Sequence, residues 1–260
     1  MSQLFASNLC VIEYPRSGAN WLLKMLSDYL RIPYRDLDKK PESITGSLLK
    51  KFVNIPPLAR FNSTKCLNPL KYLGKTHVFH NIPSSTNKKI IYVIRDPRDV
   101  MVSYYHHEKN FTRKVLNRQT AFNFNDDLSV KEELFAYIQH RFETKSFPYL
   151  NWSEHVKQAL NDPGIFIIKY EDLLKTPSAQ MAKAIEFLEL KMDHKRIASI
   201  VSHHSFEKEK RRLKESRQDY SIHLRKGVSG EWKGLFNKEM LEYIYSYSED
   251  QMRIFEYETV

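Results

Sequence analysis

The sequence predicts an α/β fold: one domain with a central, mainly parallel sheet flanked by helices and a phosphate-binding strand-turn-helix unit near the N-terminus. Three observations carry this expectation. Short apolar runs alternate with helical patterns along the chain. Each run gives way at once to a turn and a helix. The runs at 9–13, 89–95 and 164–169 are almost continuously apolar, as strands buried on both faces are.

The first element, LCVIE (9–13), stops at Tyr14-Pro15, and the stretch 19–30 (ANWLLKMLSDYL) carries apolar residues at 22, 23, 26 and 30, the spacing of a helix face. KIIYVIR (89–95) repeats the arrangement: Asp96-Pro97 ends the strand, Pro97 suits the first turn of a helix, and DVMVSYYHHE continues it. GIFIIK (164–169) leads through Tyr170-Glu171-Asp172 to a helix over 177–190 with Met181, Ile185 and Leu188 on one face. Further helices are expected near 129–143, 152–161, 193–204 and 237–255, with Trp152 and His155 packing in the core, as Tyr104 and Tyr105 do after Ser103. The polar stretch 109–127 has weak periodicity and reads as a loop or lid. A second irregular stretch, 216–236, holds three of the seven glycines. With no repeat and no Gly/Ser-rich linker, residues 1–260 read as one domain.

Composition narrows the function classes. A chain of 260 residues that is 42% hydrophobic and 13% aromatic can bury a core, which excludes disorder as a whole. The net charge of +10 asks for an anionic partner without naming it. The run EKEKRRLKESR interleaves its cations with Glu207, Glu209 and Glu215, as a solvated helix face does. No apolar stretch is long enough to span a membrane and the N-terminus has no leader pattern. Two cysteines, Cys10 and Cys66, make no disulfide framework, so a reducing, cytoplasmic setting is expected.

Glycine is scarce, so its positions are informative. Gly18 lies between strand and helix in YPRSGANW, where a turn aims backbone N–H groups and the helix dipole at one spot suited to phosphate or sulfate. Arg16 and Ser17 add a guanidinium fork and a hydroxyl. The unit is P-loop-like but lacks the Gly-Lys pair of the nucleoside triphosphate version. Arg95, at the next strand end, and Ser103 supply a second set of donors, while Arg98 and Asp99 read as a surface pair at the helix start. Arg225, Lys226 and Gly227 form a third basic loop.

Together, YPRSGANW, YVIRDPRDVMVSYY and RKGVSGEWK, with KTH at 75–77, YED at 170–172 and HHSF at 203–206, resemble the signature segments of the cytosolic-type sulfotransferases, which use 3′-phosphoadenosine 5′-phosphosulfate (PAPS). The resemblance runs through nearly the whole chain. It implies that Arg16, Ser17, Gly18, Ala19, Asn20 and Trp21 hold the 5′-phosphosulfate, with Trp21 against the adenine. By the same resemblance Arg95, Ser103, Arg225, Lys226 and Gly227 hold the 3′-phosphate, and Tyr170 and Phe206 contact the adenine. It places the catalytic base at His77, with Lys75 and Arg16 stabilising the transferring group. It also implies release of adenosine 3′,5′-bisphosphate, a small-molecule acceptor, no nucleic acid or membrane partner, and a monomer or homodimer. The family's C-terminal dimer segment survives only as Lys233, Asn237, Lys238 and Glu242. Arg16 stands for the more usual lysine, Ala19 and Asn20 for a threonine pair, and His204 for a hydroxyl residue.

Ten histidines compete with this assignment. His80 is the nearest rival, three residues on and facing the other way at strand spacing. His106/His107 and His203/His204 diverge by about 100° on a helix and have no carboxylate or cysteine at ligand spacing, so no metal is expected. A small-molecule kinase would need a magnesium carboxylate, for which Asp96 is the one candidate; an RNA-binding or membrane-surface module would explain the charge but not the three basic loops. Phe52, Phe61, Phe111, Phe122, Phe124, Phe147 and Tyr149 cluster in the segments expected to form the acceptor pocket, which points to an apolar or aromatic acceptor.

Overall fold

The computed structural model describes residues 9–38, 72–82, 88–215 and 226–257; the expectations placed on Phe52, Phe61, Cys66 and Arg225 lie outside them. The chain forms two compact units, entering each more than once: the first takes Met1–Glu13, Gly18–Val93 and Asp162–Ser205, the second Tyr14–Ser17, Ile94–Asn161 and Phe206–Val260.

The first unit holds a five-stranded sheet in the order β2-β3-β1-β4-β5, from β1 (Leu9–Glu13), β2 (Tyr34–Asp36), β3 (Leu73–Thr76), β4 (Lys89–Ile94) and β5 (Ile165–Lys169). β1 is parallel to both β3 and β4, with Ile12 opposite Thr76 on one side and Tyr92 on the other. This register brings Glu13, Thr76 and Val93 to the same carboxyl edge, the end of a parallel sheet where ligands bind. Alternate residues of the central strands serve different layers. Val11, Ile91 and Val93 pack with Leu22, Leu23 and Leu26 of α1 (Ala19–Leu30) and with Met181, Ile185 and Ile197 from later helices. Burying each such side chain contributes about 1.5–3 kcal/mol. Cys10, Ile12, Ile90 and Tyr92, on the opposite face, are buried as well. The same unit contains α5 (Tyr170–Lys175), α6 (Pro177–Phe187) and α7 (His194–His203), which follow in sequence the three α-helices that the second unit contributes between 94 and 161.

In the second unit α2 (Pro97–His106) starts where Asp96 caps it, accepting from the Arg98 N–H at 2.9 Å, with Pro97 in the first turn. Ser129 with Glu132 and Asn151 with Glu154 form capping boxes on α3 (Val130–Glu143) and α4 (Trp152–Leu160). Asn237 caps α9 (Lys238–Ile254) by accepting from Met240 N–H. The basic run forms α8 (Phe206–Lys214), in which Glu209 is buried and paired with Arg212.

Two expectations need correction here. Residues 109–115 are not loop: α2 runs on as a π-helix over His107–Val115, and only the following segment to Ser129 is irregular. Arg98 and Asp99 are not a surface pair, for they are 3% and 1% exposed. Arg98 forms a fork with Asp96 at 2.7–3.2 Å and lies over the Trp232 ring at 3.8 Å. Asp99 accepts from the backbone N–H groups of Gly230 at 2.7 Å and Trp232 at 3.3 Å. Helix periodicity cannot reveal this, because the partners are more than 130 residues away.

Removing the Asp99 carboxylate leaves one buried and one partly buried N–H group short of an acceptor. Asp99→Ala is therefore expected to destabilise the chain by about 2–4 kcal/mol. Urea unfolding followed by tryptophan fluorescence measures this; a loss under about 0.5 kcal/mol, the scale of an ordinary surface substitution, contradicts it.

Candidate active site

The site is built on the turn that follows β1. Ser17 N–H donates to Tyr14 C=O at 3.1 Å, closing a tight turn, and Arg16 and Gly18 take left-handed conformations with φ of 78° and 96°. Gly18 has no Cβ, and one added there would run into the Tyr170 ring. The glycine thus serves twice, permitting the positive φ and letting the Tyr170 ring come close to its own backbone. A glycine has no side chain with which to cap α1. The cap comes from the strand instead, since the Glu13 carboxylate accepts the Ala19 N–H at 2.7 Å. Ser17 Oγ is fully buried and has no hydrogen-bond partner among the described residues.

Next to Glu13 stand the two groups expected to carry the chemistry. Lys75, on β3 and 7% exposed, places Nζ 2.6 Å from His77 Nε2 and 3.8 Å from Glu13 Oε1. His77 Nδ1 lies 3.1 Å from the Glu13 carbonyl oxygen. An ammonium group only donates, so Nε2 accepts from Lys75 and Nδ1 carries the proton, which it donates to the Glu13 carbonyl. Asp38 fixes the backbone here: it accepts from His77 N–H at 2.8 Å, from Asn81 Nδ2 at 3.0 Å and from the Thr76 hydroxyl. His80 is not on the strand at all. It sits exposed in a 3₁₀ turn, Phe79–Asn81, so its separation from His77 follows from the end of β3 rather than from strand alternation. Burial pushes the Cys10 thiol up to about 12, with the Asp38 carboxylate adding to the rise and Lys75 opposing it; it is no nucleophile.

The second unit brings together a separate set. Arg16 Nε donates to Ser103 Oγ at 3.4 Å, and Arg95 donates from Nη1 to Arg16 C=O at 3.3 Å and from Nη2 to Val228 C=O at 3.0 Å. Arg95 is buried, with Asp99 3.9 Å from its guanidinium. Gly227, at φ 65°, lies against the Phe206 ring, again so closely that a Cβ would overlap it. Lys226 is exposed and its Nζ meets Glu231 at 2.9 Å. Taken by itself, the second unit offers a serine hydroxyl buried without a partner, a glycine that carries an aromatic ring and the guanidinium groups of Arg16 and Arg95, features that a phosphate group would fit.

Trp21 and His204 meet in the first unit: the indole N–H donates to His204 C=O at 2.7 Å. The His204 ring turns the other way, with Nε2 2.7 Å from Asp28 Oδ2, both side chains being buried. Asp28 is the carboxylate that the sequence could not place beside the histidine pair, because α1 supplies it. Asp28, His203 and His204 have ligand atoms within 4.8 Å of one another. The 2.7 Å contact between His204 and Asp28 is a hydrogen-bond length, shorter than the roughly 3.3 Å between two ligands of one tetrahedral zinc.

The aromatic residues expected to line an acceptor pocket divide. Phe111 is buried, 8% exposed, while Phe122 and Phe124 are half-buried and pack with Tyr137 at ring separations of 5.4 and 6.0 Å. Phe147 and Tyr149 stay open, 37% and 56% exposed, edge to face at 5.9 Å. Beneath the first group, burial raises the Tyr105 hydroxyl and the hydrogen bond to Glu133 adds to it. Burial would raise Glu133 too, but Lys109 and the Tyr105 hydroxyl outweigh it and hold the carboxylate low.

A mainly parallel sheet with a P-loop-like turn after its first strand in sequence gives the chain an α/β fold of the kind that binds ligands at the carboxyl ends of its strands. It belongs to the sulfotransferase family, since the sequence profile of the sulfotransferase domain matches residues 7–256. The chain is 28% identical over 260 residues to sulfotransferase 1B1 of the dog, an alignment covering 92% of this chain and 82% of that protein. It is 26% identical over 264 residues to human sulfotransferase 1E1, covering 95% and 84%. Among solved structures it shares its fold with retinol dehydratase in complex with retinol and PAP (TM-score 0.65, 22% identity, 96% of this chain and 82% of that one). It also shares it with mouse sulfotransferase SULT7A1 complexed with PAP (TM-score 0.64, 20% identity, 95% and 84%). Among the described residues no helix is long and apolar enough to cross a membrane.

Gly18→Ala is expected to cost about 1–3 kcal/mol, from the positive φ and from overlap with Tyr170. In a Tyr170→Ala background the overlap is gone and the cost should fall. Thermal unfolding of the four proteins of this cycle tests it, and equal costs in both backgrounds would remove Tyr170 from the loop.

Proposed function

We propose that this chain is a PAPS-dependent sulfotransferase, acting as one sulfotransferase domain in the cytoplasm, without a metal and as a monomer or homodimer, on a hydroxyl or amine of a small apolar or aromatic acceptor. The observation that carries the reading is the contact of Lys75 Nζ with His77 Nε2 at 2.6 Å, at the carboxyl edge of the sheet and beside the turn that opens α1. Arg16, Ser17, Gly18, Ala19, Asn20 and Trp21 would hold the phosphosulfate end. Arg95, Ser103, Arg225, Lys226 and Gly227 would hold the 3′-phosphate, and Tyr170 and Phe206 the adenine. The PAP complexes of the structural neighbours support the choice of nucleotide. Bound PAPS supplies the sulfuryl group and departs as adenosine 3′,5′-bisphosphate.

The chain's own groups then have distinct tasks. His77 is held neutral in one tautomer, Nδ1–H on the Glu13 carbonyl, so that Nε2 is the basic atom. An acceptor hydroxyl takes the place of Lys75 as donor to Nε2 and gives up its proton there. Lys75, released from the imidazole, is then available to meet negative charge. With Arg16 and the amides of the turn it stabilises the transition state, about 2–4 kcal/mol per well-placed donor. The open rings of Phe147 and Tyr149 support an apolar acceptor.

Transfer of ³⁵S from labelled PAPS to phenols, steroids, amines and sugars tests the reading. His77→Ala should lower turnover by about 10²–10⁴ on an alcohol of high pKa and by much less on a phenol of low pKa, which ionises without help. Lys75→Ala should lower it on both, since charge stabilisation does not depend on the acceptor's proton. Wild-type turnover by His77→Ala on the alcohol moves the base elsewhere, and no incorporation into any acceptor class by the unaltered chain sinks the proposal.

A further inference from the structure

β1 is apolar up to its last residue, where a carboxylate closes it. Glu13 is 2% exposed, so water does not solvate its charge and protein donors must. Two such donors stand out. One is the Ala19 N–H, 2.7 Å from Oε2 and in the first turn of a twelve-residue helix, where the dipole favours negative charge. The other is the Lys75 ammonium, 3.8 Å from Oε1, with the His77 ring nitrogen Nδ1 at 4.0 Å. A free helix N-terminal amide and a nearby ammonium are the equipment of an oxyanion seat. Here a side chain of the same unit already sits in it.

We propose that Glu13 is an internal oxyanion: it holds, in the chain without ligand, donors that the sulfate or phosphate of the nucleotide needs, and so determines how tightly the site binds. This inference rests on the PAPS reading above, which assigns Ala19 and Lys75 to the phosphosulfate. Two anions cannot share one N–H and one ammonium without repelling each other, so an incoming oxyanion displaces the carboxylate from Ala19. The geometry gives Glu13 a second use, because the carboxylate can return to the Ala19 N–H as the product leaves. Capping of α1 and competition with ligand are thus one interaction seen in two states.

Calorimetric titration of the full chain and of its Glu13→Gln and Glu13→Asp variants tests this with two probes, adenosine 3′,5′-bisphosphate and inorganic pyrophosphate. Glu13→Gln keeps the shape and removes the charge, and it should bind both probes about tenfold or more tightly than the unaltered chain, since a like charge within a few ångströms is gone. Glu13→Asp keeps the charge but shortens the reach to Ala19, and it should fall between the two. If Glu13→Gln does not fold, as its melting curve would show, the Asp variant decides: binding weaker than the unaltered chain overturns the inference. Equal or weaker binding of both probes by Glu13→Gln overturns it while leaving the nucleotide reading standing, provided the bisphosphate binds. Tighter pyrophosphate with no bisphosphate binding by any of the three proteins upholds the internal oxyanion and removes the nucleotide.

Discussion

The contact between the Glu13 carboxylate and the Ala19 N–H spans the turn from which the candidate site is built. A parallel sheet exposes its ligand-binding end where strands become helices, and the first such junction must reverse direction within five residues, 14–18. Positive φ at Arg16 and Gly18 accomplishes the reversal, and the glycine leaves α1 without a side-chain cap. Glu13 supplies that cap from the strand side. The same placement brings a buried negative charge to Lys75, on the neighbouring strand in parallel register with β1, and to His77, the residue that follows that strand. Glycine conformation, helix capping and the electrostatics of the candidate catalytic pair are therefore one constraint.

Buried ion pairs serve a similar purpose in the second unit. Asp96 and Arg98 satisfy each other at the start of α2, and the guanidinium stacks on Trp232. Asp99 ties down the backbone at 230–232, whose neighbour Val228 accepts from Arg95. Charges removed from water to this degree gain little net stability from their pairing, but they make one arrangement of the 228–232 loop much cheaper than any other. The segment 227–232, with Gly227 and Gly230 both at positive φ, needs such anchoring.

Much of the fold was legible in the sequence. β1, β4 and β5 are apolar runs long enough to stand out, and α1, α3, α4, α7 and α9 announce themselves through face periodicity and capping residues. β2 and β3 did not. They are three and four residues long, YRD and LGKT, and their identity as strands lies in pairing with each other and β1 rather than in any alternation. The π-helical extension of α2 was missed because its hydrogen-bond shift leaves no separate apolar period. At the site, Lys75 and His77 came from a motif. Glu13 did not, since a polar residue at the end of a strand ordinarily means only that the strand has reached solvent; the hint was an acidic residue directly before a phosphate-type turn. Asp28 beside His204, and Asp99 beside Gly230, depend on contacts between residues more than a hundred positions apart.

The central claim is that the amides opening α1 receive an oxyanion in place of Glu13. It is tested most directly by ¹H–¹⁵N spectra of the perdeuterated chain during titration with adenosine 3′,5′-bisphosphate. If the turn is the seat, the Gly18 and Ala19 amides should show saturable shifts among the largest in the spectrum, with Ala19 moving from its carboxylate-bonded position to a new one. Saturable shifts elsewhere with Gly18 and Ala19 unmoved would contradict it.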